Sequence, residues 1–355
     1  MPGERFNCHP ALPRPNLGLV PGRKLFHSRF VHIVILTPVL NDWVSAQEVL
    51  GQLDAACASM PDSFSVLLVD DGSSEDVPAN FARGAYTALR QVDILRLKRN
   101  LGHQRAIAIG LCHIAEKVPG DAILVMDGDG EDKPSDAMRL IDRLRELQAS
   151  GSLPPIVFAE RTRRSESVFF QFGYLGYRVL HYLLTGRSIR FGNFSIIPRG
   201  RLAALVVEPT LWSHYAASVA GSRLPHMTIP TQRGQRIAGR SRLNFIGLVT
   251  HGLAALSCYN ELIGVRLVVL ASFLFVLSLL AIFSTVTLRL ATDLPLPGWT
   301  SLFAGVLVVF LLQVVTLATI VTLQIIGTRS HQPLLPIRDY GWYVTDVSNL
   351  FRRSP

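Results

Sequence analysis

The sequence predicts an α/β domain on a mainly parallel sheet, followed by an interfacial helix and a two-helix transmembrane hairpin. Three observations predict it. Short apolar runs alternate with helical patterns through the first two thirds of the chain, acidic loops close several of those runs, and two long uncharged apolar stretches fill the last third. Strand–helix alternation is the pattern of a parallel α/β sheet. A stretch of ~20 apolar residues or more is long enough to cross the hydrocarbon of a bilayer.

Taken in order, residues 1–30 hold Pro2, Pro10, Pro13, Pro15 and Pro21 and no apolar run. They are expected to form a flexible N-terminal tail without a signal peptide. Residues 31–242 form the expected α/β domain. Its strands are Val31–Thr37, Phe64–Val69, Val92–Leu97, Asp121–Met126 and Pro155–Ala159, several of them apolar throughout, as in strands covered on both faces. Ser45-Ala46-Gln47-Glu48 has the form of a capping box before Val49, Leu50 and Leu53. A second helix carries Leu140, Ile141, Leu144 and Leu147 after Pro134 and Ser135.

Residues 243–263 place Leu243, Ile246, Val249, Leu253, Leu256 and Ile263 at mostly helical spacing. This fits an amphipathic helix in the membrane interface or an ordinary core helix. Residues 264–328 hold two transmembrane helices. Leu267–Leu288 and Ser301–Gly327 contain no charge, and the turn-rich link between them holds Pro295, Pro297 and Gly298. Residues 329–355 are expected to be a tail.

Arg266, Arg329 and Arg338 flank one side of the hairpin, with Arg233, Arg236, Arg240 and Arg242 upstream, against Arg289 on the other. The positive-inside rule then places the α/β domain and both termini in the cytoplasm, as expected of a bacterial inner-membrane protein.

The 355 residues are 49% hydrophobic with a formal net charge of +9, and the only lysines are Lys24, Lys98, Lys117 and Lys133. The mean hydropathy is +0.31, too apolar for an ordinary soluble domain and too polar for a polytopic transporter. An arginine-rich surface allows anionic lipid, phosphorylated substrates or nucleic acid as partner. No nucleic-acid readout motif is present and the arginines cluster beside the hairpin, so nucleic acid is not expected. Cys8, Cys57, Cys112 and Cys258 form no C-x-x-C pair, which removes zinc-ribbon and thioredoxin-like readings.

The chemistry sits at the strand ends. The first strand leads into Thr37-Pro38-Val39-Leu40-Asn41-Asp42, the second into Val69-Asp70-Asp71-Gly72, and the fourth into Met126-Asp127-Gly128-Asp129-Gly130-Glu131-Asp132. In parallel sheets ligands bind beyond these ends. Three acidic loops on one edge repel one another unless a cation or donor groups lie among them. Asp127 and Asp129 can hold a hard divalent cation together with substrate phosphates. An EF-hand is excluded, because its glycine position is Asp132 and its closing glutamate position is Met138. No G-x-x-x-x-G-K-[ST] loop and no G-x-G-x-x-G after the first strand occur, so P-loop and dinucleotide-dehydrogenase readings lose their main support.

These motifs resemble glycosyltransferase family 2, with its GT-A fold. Arg99-Asn100-Leu101-Gly102-His103-Gln104-Arg105-Ala106 is similar to the family's basic-Asn-x-Gly stretch. Arg161-Thr162-Arg163-Arg164, Arg236-Ile237-Ala238-Gly239-Arg240-Ser241-Arg242 and the hairpin resemble the polyprenyl-phosphate branch, the dolichyl-phosphate-mannose-synthase-like enzymes.

The resemblance implies a site, residue by residue. Pro38, Asn41, Asp42, Asp70, Asp71 and Gly102 would line the nucleotide-sugar pocket with Asp127. Asp127, Asp129 and Glu131 would hold Mg²⁺ or Mn²⁺ on the donor diphosphate, with Arg161 and Arg164 near the phosphates. Arg236, Ser241 and Arg242 would meet the lipid phosphate. The implied reaction moves one sugar, with inversion, from a UDP- or GDP-linked donor to polyprenyl phosphate, and a homo-oligomer is compatible with it.

Three departures from the family pattern stand out: Asp42 where relatives often have Glu, Glu131-Asp132-Lys133-Pro134 in place of Gln-Asp-Pro-Pro, and Gly192-Asn193-Phe194-Ser195 in place of Gly-x-Phe-Arg. A processive synthase would carry Gln-x-x-Arg-Trp, which Thr210-Leu211-Trp212-Ser213 is not. A membrane-tethered binding protein on an inactive GT-A fold is the non-enzymatic alternative, and the intact Asp127/Asp129 pair argues against it.

Overall fold

The computed structural model describes residues 31–83, 86–161, 168–187, 191–232, 234–238, 245–291, 298–330 and 334–353. Eight strands form one sheet: β1 (His32–Val39), β2 (Ser63–Asp70), β3 (Leu89–Leu97), β4 (Ala122–Val125), β5 (Ile156–Arg161), β6 (Phe191–Pro198), β7 (His226–Thr231) and β8 (Val344–Arg352). Their order across the sheet is β7-β5-β6-β4-β1-β2-β3-β8. The central pairs β1–β2, β1–β4 and β2–β3 are parallel, as is β5–β7. β6 runs antiparallel between β4 and β5, and β8 antiparallel along β3.

The central strands are apolar because both faces are covered. α1 (Trp43–Cys57) and α3 (Pro134–Gln148) pack on one face through Val49, Leu50, Leu53, Leu140, Ile141 and Leu144. α2 (His103–Lys117) covers the other with Ile107, Leu111 and Ile114. α4 (Val168–Thr185), α5 (Arg199–Leu205) and α6 (Tyr215–Gly221) complete the domain, and α7 (Phe245–Ser257) leads to α8 (Asn260–Ala291), α9 (Trp299–Ser330) and the short α10 (Pro336–Asp339).

The five strands expected from the sequence are all present, and three more join them. β8 corrects the expected C-terminal tail: residues 344–352 supply the sheet's outer strand beside β3, so the sheet draws on chain beyond residue 242. Its apolar residues, Val344, Val347, Leu350 and Phe351, do not alternate. An outermost strand is held by backbone pairing on one side and needs no regular pattern. The helix α1 also starts earlier than the capping box suggested. Asp42 precedes its first turn, and Ser45 sits inside the helix with its hydroxyl donating to Asp42 Oδ1 at 2.8 Å.

α8 and α9 are 32 residues each, apolar and largely exposed, about 48 Å long at helical rise. Gly264, Ala271, Ser278 and Thr285, seven residues apart, are the buried positions of α8, and Gly264 lies against Ile325 of α9. Small residues at such spacing let two helices approach closely where the surrounding medium offers no hydrophobic drive. Two exposed apolar helices of this length make the protein membrane-associated. α7 packs on α6 through Ala255 against Ala217, joined by Tyr259 from the link to α8, while Val249 and Leu253 stay exposed.

Candidate active site

Because β1, β2, β3 and β4 are parallel neighbours, their following loops meet at one edge. There the structure brings together Pro38, Asn41, Asp42, Asp70, Asp71, Gly102, Asp127, Asp129 and Glu131. β5 runs parallel to β4 through β6, so Arg161, at its end, stands on the same edge. Arg164, Ser241 and Arg242 lie outside the described residues.

Several of these residues act on the backbone. Asn41, at φ 50°, stitches two loops: its N–H donates to Ser73 Oγ, its Nδ2 to Ser74 Oγ, and its Oδ1 accepts from the Glu75 N–H. Asp70 Oδ1 accepts from Ser73 N at 2.9 Å. Asp71 accepts from the N–H groups of Leu101 and Gly102 at 2.7 and 2.9 Å, which fixes the loop after β3. Gly72 explains the third residue of that motif. At φ +70°, a Cβ would stand 2.5 Å from the Arg99 carbonyl carbon, so only glycine lets the two loops touch. Asp132, buried, accepts from the Asp127 N–H and closes the acidic loop.

The Asp127 and Asp129 carboxylates have basic neighbours, a histidine and an arginine. His103 Nε2 lies 3.1 Å from Asp127 Oδ1, and Arg236 Nη2 lies 2.6 Å from Asp129 Oδ2. Burial, with the charge of Asp127, raises the Asp129 pKa. Burial disfavours the charged form of His103, yet Asp127, Asp129 and Asp71 together raise its pKa. Desolvated carboxylates on one tight turn suit a hard divalent cation. Among the described residues no three His, Cys, Asp or Glu side chains form a complete cage, so Asp127 and Asp129 would share such an ion with a ligand's phosphates.

Sequence reasoning missed the residues that support this pair. The Tyr215 N–H donates to Gln104 Oε1 at 2.8 Å, Gln104 Nε2 donates to Asn193 Oδ1 at 3.1 Å, and Asn193 Nδ2 lies 3.0 Å from His103 Nε2. A backbone donor thus sets the orientation of the Gln104 and Asn193 amides, and the Asn193 amide can donate to His103 Nε2 only while that nitrogen is unprotonated. Ser195, at the position where the family pattern has arginine, is fully buried with its hydroxyl 2.6 Å from that of Tyr215. His214 and His251 meet at 3.1 Å between their Nε2 atoms and join α6 to α7. Burial pushes the His214 pKa down to about 3. His103 had a visible signal, following Gly102 inside the basic-Asn-x-Gly stretch. The other contacts are long-range and have none.

The glycosyl transferase family 2 model matches residues 34–202, which spans β1 to β6 and every acidic loop. The chain is similar to glycosyl transferase family 2 over these residues, just under half of its length. Its sheet is the GT-A arrangement, mainly parallel with antiparallel insertions. The chain is 26% identical over 223 residues to an undecaprenyl-phosphate 4-deoxy-4-formamido-L-arabinose transferase of Salmonella paratyphi A, covering 61% of this chain and 64% of that protein. A Klebsiella pneumoniae protein of the same name is 31% identical over 137 residues, 39% of each chain. The chain thus spans between two fifths and two thirds of the length of these relatives. An uncharacterized glycosyltransferase YkcC of Bacillus subtilis is 25% identical over 303 residues, 80% of this chain and 87% of that one. Among solved structures, glucosyl-3-phosphoglycerate synthase from Mycobacterium tuberculosis with Mn²⁺, UDP-glucose and phosphoglyceric acid aligns over 66% of this chain and 80% of its own, at 14% identity and a TM-score of 0.46.

Proposed function

We propose that the protein transfers a single sugar from a nucleotide-sugar donor, UDP- or GDP-linked, to polyprenyl phosphate at the inner membrane, with the family 2 domain in the cytoplasm. One observation carries the reading: the Asp127/Asp129 turn lies in the same chain as a helical hairpin able to cross a bilayer, and α6 of its domain packs on the α7 segment that leads into that hairpin. The names of the Salmonella and Klebsiella relatives, which state undecaprenyl phosphate as acceptor, support it.

Pro38, Asp42, Asp70 and Asp71 form the base and ribose side of the pocket, which Asn41 and Gly72 keep in shape. Asp127 and Asp129 would hold Mg²⁺ or Mn²⁺, which when bound would supply Lewis acidity to the leaving diphosphate; Glu131, expected as a third ligand, does not complete a three-residue cage with them. Arg161 and Arg164 meet the donor's phosphates; Arg236, Ser241 and Arg242 meet the acceptor's. Arginine forks neutralise two approaching phosphate groups and align the attacking oxygen. A phosphate oxygen is already an anion near neutral pH, so no side chain has to remove a proton from it. In-line attack on the sugar C1 inverts that centre.

The test is a donor screen against polyprenyl phosphate with the full chain in detergent, the product identified by mass spectrometry. One sugar per lipid is expected, and Asp129→Ala is expected to abolish turnover while the protein stays folded. Full activity after metal removal, or a polymeric product, defeats the proposal.

A further inference from the structure

Residues Gly234–Ala238 lie across the acidic loop as a strap. The Gly234 N–H donates to the Glu131 carbonyl at 2.7 Å, and the Ile237 N–H to the Asp129 carbonyl at 3.0 Å. The Ile237 side chain covers Gly130, which adopts φ +86° and has no room for a Cβ beneath it. Arg236 sits between these two anchors. Its Nη2 donates to Asp129 Oδ2 at 2.6 Å, and its Nη1 lies 3.9 Å from Asp42 Oδ2 on the loop after β1. The guanidinium therefore bridges the two acidic loops that the donor pocket needs.

This seat conflicts with a divalent cation. Asp129 Oδ1 already accepts from the Glu131 N–H, and Oδ2 holds Arg236. An ion bound to Oδ2 at ~2.1 Å would stand within about 5 Å of the guanidinium nitrogen. Like charges that close in a partly desolvated turn repel strongly. The same carboxylate suits either occupant and not both.

We propose that Arg236 and the divalent cation are alternative occupants of Asp129, so that cation loading releases Arg236 to the acceptor's phosphate. Without a loaded donor, the arginine is held on the acidic loop and the acceptor finds no guanidinium. With the donor's cation in place, the guanidinium is expelled toward the cleft mouth, where an incoming phosphate monoester satisfies it. The exchange needs only a cation; the handover rests on the proposed acceptor.

The experiment is Mn²⁺ titration of the full chain in detergent, without nucleotide, read as the free-Mn²⁺ electron paramagnetic resonance signal. Arg236→Gln should bind Mn²⁺ about 10-fold more tightly than wild type. Ile237→Ala, which loosens the strap without removing a charge, should shift affinity the same way by a smaller factor. Equal or weaker binding in Arg236→Gln, or weaker binding in Ile237→Ala, overturns the exchange. The handover predicts a raised KM for polyprenyl phosphate in Arg236→Gln with the donor KM little changed. Tighter Mn²⁺ binding with an unchanged lipid KM overturns the handover alone. Absence of Mn²⁺ binding in every variant, with or without a nucleoside diphosphate, overturns the exchange together with the metal-dependent reading of the site.

Discussion

Asp71 works through the backbone it holds. Its two carboxylate oxygens each accept one N–H, from Leu101 and Gly102, so the loop after β3 is shaped by a side chain from the loop after β2. An asparagine at this position could accept only one of these bonds and would point its amide N–H₂ at the other donor. Loss of a hydrogen bond to a charged group costs about 1.5–3 kcal/mol. Asp71→Asn is therefore expected to weaken nucleotide-sugar binding by about 10- to 100-fold. Calorimetry with the donor that the screen identifies checks it, and wild-type affinity would contradict it. At this scale the sequence was legible in kind and not in role. The Asp-Asp-Gly spacing marked Asp71 as a pocket residue, but the bond to a backbone about thirty residues away has no local signature. The same limit hid Asn193 and Gln104, whose partners come from other elements.

At the scale of elements, burial made the sheet readable. β1, β2 and β4 are covered on both faces, so their apolar runs stand out, and helices α1 and α3 show one apolar stripe each. β7 and β8 are the sheet's two edge strands, where half-exposed positions admit polar residues and the pattern fades, while in β6 Gly192, Asn193 and Ser195 interrupt the apolar run. What locks elements together is less visible still. Asp54 on α1 accepts from Thr87 N, Thr87 Oγ1, Ala88 N and Leu89 N, clamping the start of β3 to the helix. From sequence it is one polar residue on an amphipathic helix. Burial alone would raise its pKa, but these four bonds outweigh it and the pKa falls below the ordinary 3.8. A depressed folded-state pKa gives stability that is present above the unfolded value and lost as pH falls through the folded one. Asp54→Asn should cost about 2–3 kcal/mol at pH 7. The gap to wild type should narrow as pH drops below about 4. Thermal unfolding in detergent at several pH values tests both; a gap that stays constant or widens in acid would contradict the assignment.

At the scale of the whole molecule, the two halves obey different solvents. The sheet domain hides its apolar residues, whereas α8 and α9 display theirs, with Phe273, Phe283, Leu302 and Leu323 all more than 60% exposed. That contrast was legible because a span needs only length and absence of charge. The arginines support the proposed orientation: Arg266 stands at the domain end of α8, where its Nη1 donates to the Leu183 carbonyl of α4, and Arg289 at the far end. A cytoplasmic domain then puts Leu290, 83% exposed near the end of α8, on the outer side of the membrane. Cys57 and Cys112 are buried, and burial raises the Cys258 pKa to about 12, so native thiolates there react slowly. In a Cys8→Ser background, Leu290→Cys should be labelled by a membrane-impermeant maleimide in intact spheroplasts, to the extent seen after lysis. Labelling only after lysis would place the hairpin's turn inside. The catalytic edge would then face away from the compartment that supplies nucleotide sugars, and the proposed function would lose its donor.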